Sequence, residues 1–255
     1  KAEHNDFTGL ELQPSVRLGW TPNEAHTVWG AVSRAVRTPT RIDEDFRFRP
    51  TPGVLAITGD RGFEAEKLWA SEVGYRVRPH ERLSLDLATF YNIYDDLRSL
   101  EVPAAGTPIM LRNRLEGETY GAELTLRYQA LEWWRLKGNY TYLHKDLDLQ
   151  SGSSDPTRGS AEGNDPRHMF ALISFVDLGE KVSFDQVLRY VDTLPEPRVA
   201  AYLELDLRVA WHPCHNLEVA LVGQNLLHEQ HREFVNGPVR KEVQRGVYGK
   251  VTWTF

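Results

Sequence analysis

Apolar and polar residues alternate with period two along most of this chain. In AYLELDLRVAWHP, Leu203, Leu205, Leu207, Val209 and Trp211 alternate with Glu204, Asp206, Arg208 and Ala210. Successive side chains of a strand point to opposite faces, so this stretch has one greasy side and one wet side. TYGAELTLRYQ sets Tyr120, Ala122, Leu124, Leu126 and Tyr128 against Gly121, Glu123, Thr125 and Arg127, and WWRLKGNYTYLHK sets Trp134, Leu136, Tyr140 and Tyr142 against Arg135, Lys137, Asn139 and Thr141. In the closing RGVYGKVTWTF, Val247, Gly249, Val251, Trp253 and Phe255 share one face, while Tyr248, Lys250, Thr252 and Thr254 share the other. Two different solvents account for so sharp a contrast. Helical periodicity is not sustained over any window of useful length.

The pattern predicts an all-β chain of eleven strands, at Glu11–Trp20, His26–Arg37, Ala65–Arg78, Arg82–Glu101, Pro108–Gln129, Trp133–Leu147, Pro166–Leu178, Val182–Asp192, Ala200–His212, Asn216–His228 and Gly246–Phe255. Strands of globular domains average ~5–6 residues. These run to ten, and in places to twenty or more, which suits a wall that crosses a bilayer and projects beyond it. The connections alternate in length. Short turns fall at TPNEA, PHE, ALE, GEK and PCH; between them lie longer stretches such as TPTRIDEDFRFRPTPGVLAITGDRGFE, DLQSGSSDPTRGSAEGND and EQHREFVNGPVRKEVQR. Short turns on one side and long loops on the other are the signature of an antiparallel up-and-down transmembrane barrel. The eleventh strand then runs toward the short-turn side, where Phe255 ends.

Composition narrows the function classes. A net charge of −6 is spread without a basic block or stripe, which excludes nucleic acid as a partner. The single cysteine, Cys214, allows no internal disulfide. No run of ~18 apolar residues offers a membrane helix. The mean hydropathy of −0.47 is compatible with a membrane barrel, whose lumen-facing residues offset the lipid-facing ones.

Candidate chemistry is sparse. His212, Cys214 and His215 lie close together in sequence, but alternation separates their side chains at a short turn, and a polar turn is the favoured reading over a metal site. His228 and His231 have His-x-x-His spacing at a strand end, not the helical zinc-protease pattern, and read as loop surface. No catalytic triad, carboxylate pair, phosphate loop, metal or cofactor motif is found, so the chain reads as a non-enzyme. The loop after Arg37 combines Arg41, Arg47, Arg49 and Arg61 with Phe46, Phe48 and Phe63, residue types that suit an anionic aromatic chelate through charge and stacking. A solvated loop, balanced by Asp43, Glu44 and Asp45, is the simpler alternative. Trp29, Trp69, Trp133, Trp134, Trp211 and Trp253 are placed as interfacial girdle residues would be.

Several segments, in order, resemble the TonB-dependent outer-membrane receptors of the iron-complex branch. LQPSVRLGWTPNEAHTVWGAVSRAVRTPTRID is similar to the strand, turn and strand that lead into a large external loop, and FEAEKLWASEVGYRVR to the return strand. LATFYNIYDDLRSLE, ETYGAELTLRYQ and GNYTYLHKD are similar to three successive strands, DPRHMFALISF to the strand opening with Pro-x-His, VALVGQNLLHEQHREF to the Asn-Leu-Leu/Phe corner, and VYGKVTWTF to the terminal strand. The resemblance implies that residues 1–255 are the carboxy-terminal half of a barrel of about 22 strands, in a Gram-negative outer membrane. It implies that the plug domain lies outside this chain. By the same resemblance, the protein takes up a ferric siderophore or similar scarce nutrient and is energised by the TonB complex through that plug. Tyr248, Trp253 and Phe255 form the closing strand read by the barrel assembly machinery. A passive porin-like channel and a soluble β-sandwich or propeller acting as a binding module are the competing readings; a propeller would repeat at a fixed period with strands of ordinary length.

Overall fold

The computed structural model describes residues 1–104, 106, 108–160, 164–196, 198–234 and 242–255. Its eleven wall strands are β1 (Ser15–Asn23), β2 (His26–Arg37), β3 (Glu66–His80), β4 (Leu83–Glu101), β5 (Ile109–Leu131), β6 (Trp134–Leu149), β7 (His168–Leu178), β8 (Val182–Val191), β9 (Tyr202–Cys214), β10 (Leu217–Gln224) and β11 (Gly246–Trp253). Each pairs antiparallel with its sequence neighbour, and the sheet runs from β1 to β11 without pairing its two edges. This is the predicted meander, strand for strand. It is an open wall.

The register fixes the faces. Leu136 lies opposite Tyr128 and Ser174, Leu188 opposite Leu172 and Leu205, and Val251 opposite Val219. Cross-strand partners share a face, so these pairings carry the greasy side of every strand onto one surface. The opposite surface holds the charges, and they pair across strands. Arg76 bonds Asp86, while Arg208 lies 2.8 Å from Asp185 and 2.6 Å from Glu218. The apolar surface faces lipid and the ion-paired surface faces the lumen.

Several boundaries moved, each for a local reason. The first strand begins at Ser15 because Pro14 has no N–H to donate; Glu11 and Leu12 instead belong to a separate hairpin of Ala2–Asn5 with Gly9–Leu12. The tenth stops at Gln224, not His228. Asn225 takes φ 54°, and its N–H turns away to Asp206 Oδ1 at 2.8 Å. Trp29, read as an interfacial residue, lies opposite Gly74 on the lumen face, between Thr27 and Ala31. Part of the predicted third long loop, residues 235–241, lies outside the described residues, as do 161–163 in the second.

Candidate functional site

The long connections all leave the same end of the wall, and there β4 and β5 project well past the ten or so residues that a bilayer requires. The loop after β2 folds back onto this extension. A short helix, α1 (Arg41–Asp45), is followed by Arg47–Phe48, which pairs with Ile57–Thr58, and that segment pairs in parallel with Ile109–Met110 of β5. The loop is therefore built: its own Phe63 and Ala65 are buried, as is Leu111 of β5.

Two buried carboxylates pin the loops, one in the loop after β2 and one against the loop after β6. Asp43, 1% exposed, accepts from Thr40 N and Thr40 Oγ1, both at 2.8 Å, and from Arg37 Nη1 at 3.1 Å. Thr40 and Asp43 form a capping box at the start of α1. Burial pushes the Asp43 carboxyl up, but the bonds from Thr40 and Arg37 outweigh it and hold the group below its ordinary value. Glu101, at the far tip of β4 and beyond the bilayer span, accepts from Ser99 Oγ at 2.7 Å, Ser153 Oγ at 2.8 Å, Ser154 N at 2.6 Å and Ser154 Oγ at 2.9 Å. Burial again opposes, and the Ser154 amide with the three hydroxyls wins, leaving Glu101 below the usual carboxylate range. It ties the loop after β6 to β4.

Below this scaffold the lumen face opens into a basin of about 400 Å³, lined by Arg37, Glu66, Tyr94, Leu97, Arg98, Thr119, Lys145 and Leu147. Glu66 is the hub of its charges. It takes Arg37 Nη2 at 2.6 Å and Nε at 2.7 Å, a bidentate pair, and also the Arg98 N–H at 3.0 Å. Lys145 bonds Asp165. The basin holds three cations and one carboxylate around an aromatic and two leucines, an arrangement suited to an anion with an apolar body.

The loop residues singled out from sequence stand elsewhere. Arg41, Phe46, Arg47, Phe48 and Arg49 are all exposed on the outside of the folded loop, and none lines the basin. Arg47 and Phe48 are adjacent in one short strand and so point to opposite faces. The basin cations Arg37, Arg98 and Lys145 were not singled out from sequence; lumen parity combined with position near a loop end was the signal available. Of the closing-strand residues, Trp253 lies opposite Leu217 on the lipid face, Tyr248 opposite Val222 on the lumen face, and Phe255 just beyond the last paired residue. Cys214 is exposed and bonds Asn216, while His212 meets Glu218. Among the described residues no group of three His, Cys, Asp or Glu side chains is arranged to hold a metal. His231, read as loop surface, is instead buried against Glu204.

Long antiparallel strands with a continuous lipid face, a charged lumen face, short turns at one end and built loops at the other define the wall of a transmembrane β-barrel. The chain belongs to the TonB dependent receptor-like, beta-barrel family, whose model it matches over residues 2–226. It is part of the wall of an outer-membrane barrel. It is 27% identical over 181 residues to the iron-regulated outer membrane virulence protein of Vibrio cholerae, a match covering 67% of this chain and 27% of that protein. Among solved structures it is similar to the ferric enterobactin receptor PfeA of Pseudomonas aeruginosa in complex with enterobactin (TM-score 0.77, 17% identity, 100% of this chain and 42% of that one). It is also similar to the FrpB iron transporter of Neisseria meningitidis (TM-score 0.75, 15% identity, 97% and 40%). The chain thus spans about two fifths of those solved chains.

Proposed function

We propose that residues 1–255 form part of the barrel wall of an outer-membrane receptor that takes up an iron chelate, and that the chain acts in capture and passage without catalysing a reaction. The observation that carries this reading is the basin of Arg37, Arg98 and Lys145 on the lumen face, directly beneath the folded loops. A ligand entering from outside would meet it first on the lumen side. Guanidinium and ammonium groups beside Tyr94 suit an anionic chelate with an aromatic or apolar body. Membership in the family and the likeness to iron-regulated and siderophore-binding proteins support the ligand class. Arg41, Arg47, Arg49, Phe46 and Phe48 would then serve as an outer capture surface, reached before the basin. Energy would come from TonB through a plug carried outside this chain, and Phe255 with Trp253 would be presented to the assembly machinery.

The test uses the full-length receptor in outer-membrane vesicles, with ferric catecholate and ferric carboxylate chelates as probes. Lys145→Glu and Arg98→Glu should weaken binding of at least one probe by about tenfold each, about 1.4 kcal/mol, with receptor levels unchanged. Arg47→Glu should lower the association rate more than it raises the dissociation rate. If neither probe binds, or if the basin substitutions leave affinity unaltered, the reading fails.

A further inference from the structure

A second basic recess lies on the lumen face at the short-turn end of the wall, opposite the end that holds the basin. Arg78 of β3, Arg82 of the turn into β4, Arg127 of β5, and Arg135 and Lys137 of β6 converge on a cavity of about 380 Å³. The register puts them on one face. Arg127 lies opposite both Ser84 and Lys137, and Arg135 lies opposite both Gln129 and Phe175. The Arg135 guanidinium stands 5.5 Å over the centre of the Phe175 ring.

Elsewhere on this face the cations are neutralised. Arg76 takes Asp86, and Arg208 takes both Asp185 and Glu218. Around the recess, Glu81 of the turn is part of the lining, and Asp177 reaches Arg135 at 3.7 Å with both side chains about half exposed. Among the described residues Arg78, Arg82, Arg127 and Lys137 have no ion-pair partner. Like charges directly opposite each other destabilise a sheet, and Arg127 and Lys137 are such a pair. Positive charge gathered on the wall of a confined lumen also raises the local concentration of any anion there. The wall thus carries a charge excess that costs stability, which is characteristic of a site shaped by function.

We propose that this recess is a second anion-binding station, on the exit side of the lumen, for a multiply charged anionic chelate of the class taken by the basin. The ligand class rests on the function proposed above; the anion site stands on the recess alone. Its size favours a small ligand over an acidic segment of the rest of the receptor, since about 380 Å³ nearly equals the basin's 400 Å³. Its chemistry repeats that of the basin, with Arg and Lys beside an aromatic ring, Phe175 here and Tyr94 there. Arg127 and Lys137 can meet two oxygens of one anion, and Arg135, stacked on Phe175, can bring a planar fork to a carboxylate. A ligand that enters at the loop end meets the basin first and passes the recess before it leaves at the short turns. Successive sites along a path bind well enough to admit a ligand and weakly enough to release it.

The test uses the full-length receptor in lipid nanodiscs, which leave both ends of the lumen open to solvent. The probe is iron-free citrate, and the readout is acetylation of lysines by N-hydroxysuccinimidyl acetate, followed by mass spectrometry. Saturating citrate should slow acetylation of Lys137 about tenfold relative to sodium chloride of equal ionic strength. It should leave Lys181, in the short turn between β7 and β8, unchanged. Arg127→Gln removes one of two opposed like charges, so the sheet tolerates it, and it should raise the citrate concentration for half-protection about tenfold. Arg135→Gln should do the same. None of this needs an iron chelate to bind, so failure of the basin's ligand class and failure of the recess are read separately. With the ferric chelate that the basin binds, Arg127→Gln should lower the maximal rate of cellular uptake about threefold, whereas Lys145→Glu should raise the concentration for half-maximal uptake. Equal acetylation of Lys137 in citrate and in chloride overturns the proposal. So does a Lys137 blocked in both, because an acidic part of the receptor then fills the recess. Full uptake rate in Arg127→Gln overturns the role in passage.

Discussion

On the lumen face, the Trp29 indole occupies the space that a glycine on the next strand leaves open. Trp29 and Gly74 are direct partners across β2 and β3. A Cβ built on Gly74 would overlap Cε2, Nε1 and Cζ2 of the Trp29 indole, far inside the ordinary carbon contact of about 3.5–4.0 Å. The ring lies flat over the glycine and fills the space its missing side chain leaves. The nearest obstacle is thus a rigid bicycle, not the end of a flexible chain. Gly74→Ala should therefore force the indole out of its position, at the cost typical of overpacking, about 1–3 kcal/mol. Trp29→Ala should uncover the glycine and lose much of the burial of an aromatic, also about 1–3 kcal/mol for a side chain that is only half buried. In the double variant the methyl no longer meets an indole, so the clash term disappears. The cycle should show a coupling of at least about 1 kcal/mol in the direction of rescue. Urea titration of the full-length receptor folded into lipid bilayers, followed by heat-modifiable mobility, gives the four free energies. Additivity within about 0.3–0.5 kcal/mol would mean that the two residues do not meet, and the register of β2 on β3 would have to be revised.

Three other outcomes follow from the same faces and loops. Leu205→Arg places a charge on the lipid side of β9 and should hinder bilayer folding by about 2–4 kcal/mol near the midplane, whereas Arg208→Leu leaves Asp185 and Glu218 without their lumen partner and should cost about 1 kcal/mol; equal costs in a bilayer refolding titration would remove the two-solvent argument. Asp43 and Glu101 sit below their ordinary values in the folded protein, so the stability they confer is complete above the usual carboxylate pKa of about 4 and is lost as pH falls through their folded values; exchange protection of the loops after β2 and β6 should be flat from pH 8 to about 5 and drop below about 4, and a drop beginning near neutrality would contradict this. Lys137 lies directly opposite Arg127 on the lumen face, and neither has an ion-pair partner among the described residues. Lys137→Glu should therefore raise stability by about 0.5–1 kcal/mol at low salt, and a loss of stability would show that this basic patch already has an acidic neighbour in the full receptor.

The parts of this fold that were legible in sequence are those governed by nearest neighbours. Alternation in Leu203 to Trp211 depends on nothing but the pleat, and the strand that contains it was found to within two residues at either end. The capping pair Thr40 and Asp43 is equally local, three residues apart, yet Asp43 was read only as a charge balancing a solvated loop. What could not be read depends on distant partners. Glu101 looks like one more loop-end charge until Ser153 and Ser154, some fifty residues later, close on it. His231 looks like surface because its counter-charge, Glu204, belongs to another strand. Arg37, Arg98 and Lys145 come from three strands, and no spacing within the chain announces that they meet. The outer loop residues Arg41, Phe46, Arg47, Phe48 and Arg49 are close in sequence and were noticed for that reason, yet proximity in sequence is a weak guide in a barrel, where neighbours on one face come from different strands.

The open edges set the last requirement on this wall. β1 pairs only with β2 and β11 only with β10, so along each edge one row of backbone N–H and C=O groups has no partner among the described residues. Val16, Leu18 and Trp20 on one edge and Val247, Val251 and Trp253 on the other are lipid-face residues and more than 60% exposed, so both edges lie at bilayer depth. Each unpaired backbone group in hydrocarbon costs several kcal/mol, and alternate residues along strands of this length multiply that cost well beyond the stability of an ordinary domain. Partner strands must therefore complete the wall, in agreement with its spanning about two fifths of the solved chains it resembles. Residues 1–255 refolded alone in detergent should fail to give a heat-resistant monomer, while the full-length receptor should give one. Deleting Phe255 from the full-length protein should lower the amount assembled in the outer membrane without changing ligand affinity in the molecules that do assemble, and Thr254→Ala, on the other face, should change little. A heat-resistant monomer of the 255 residues would mean that β1 and β11 can pair with each other, and the wall would then be a small closed barrel with a lumen too narrow for the passage proposed here.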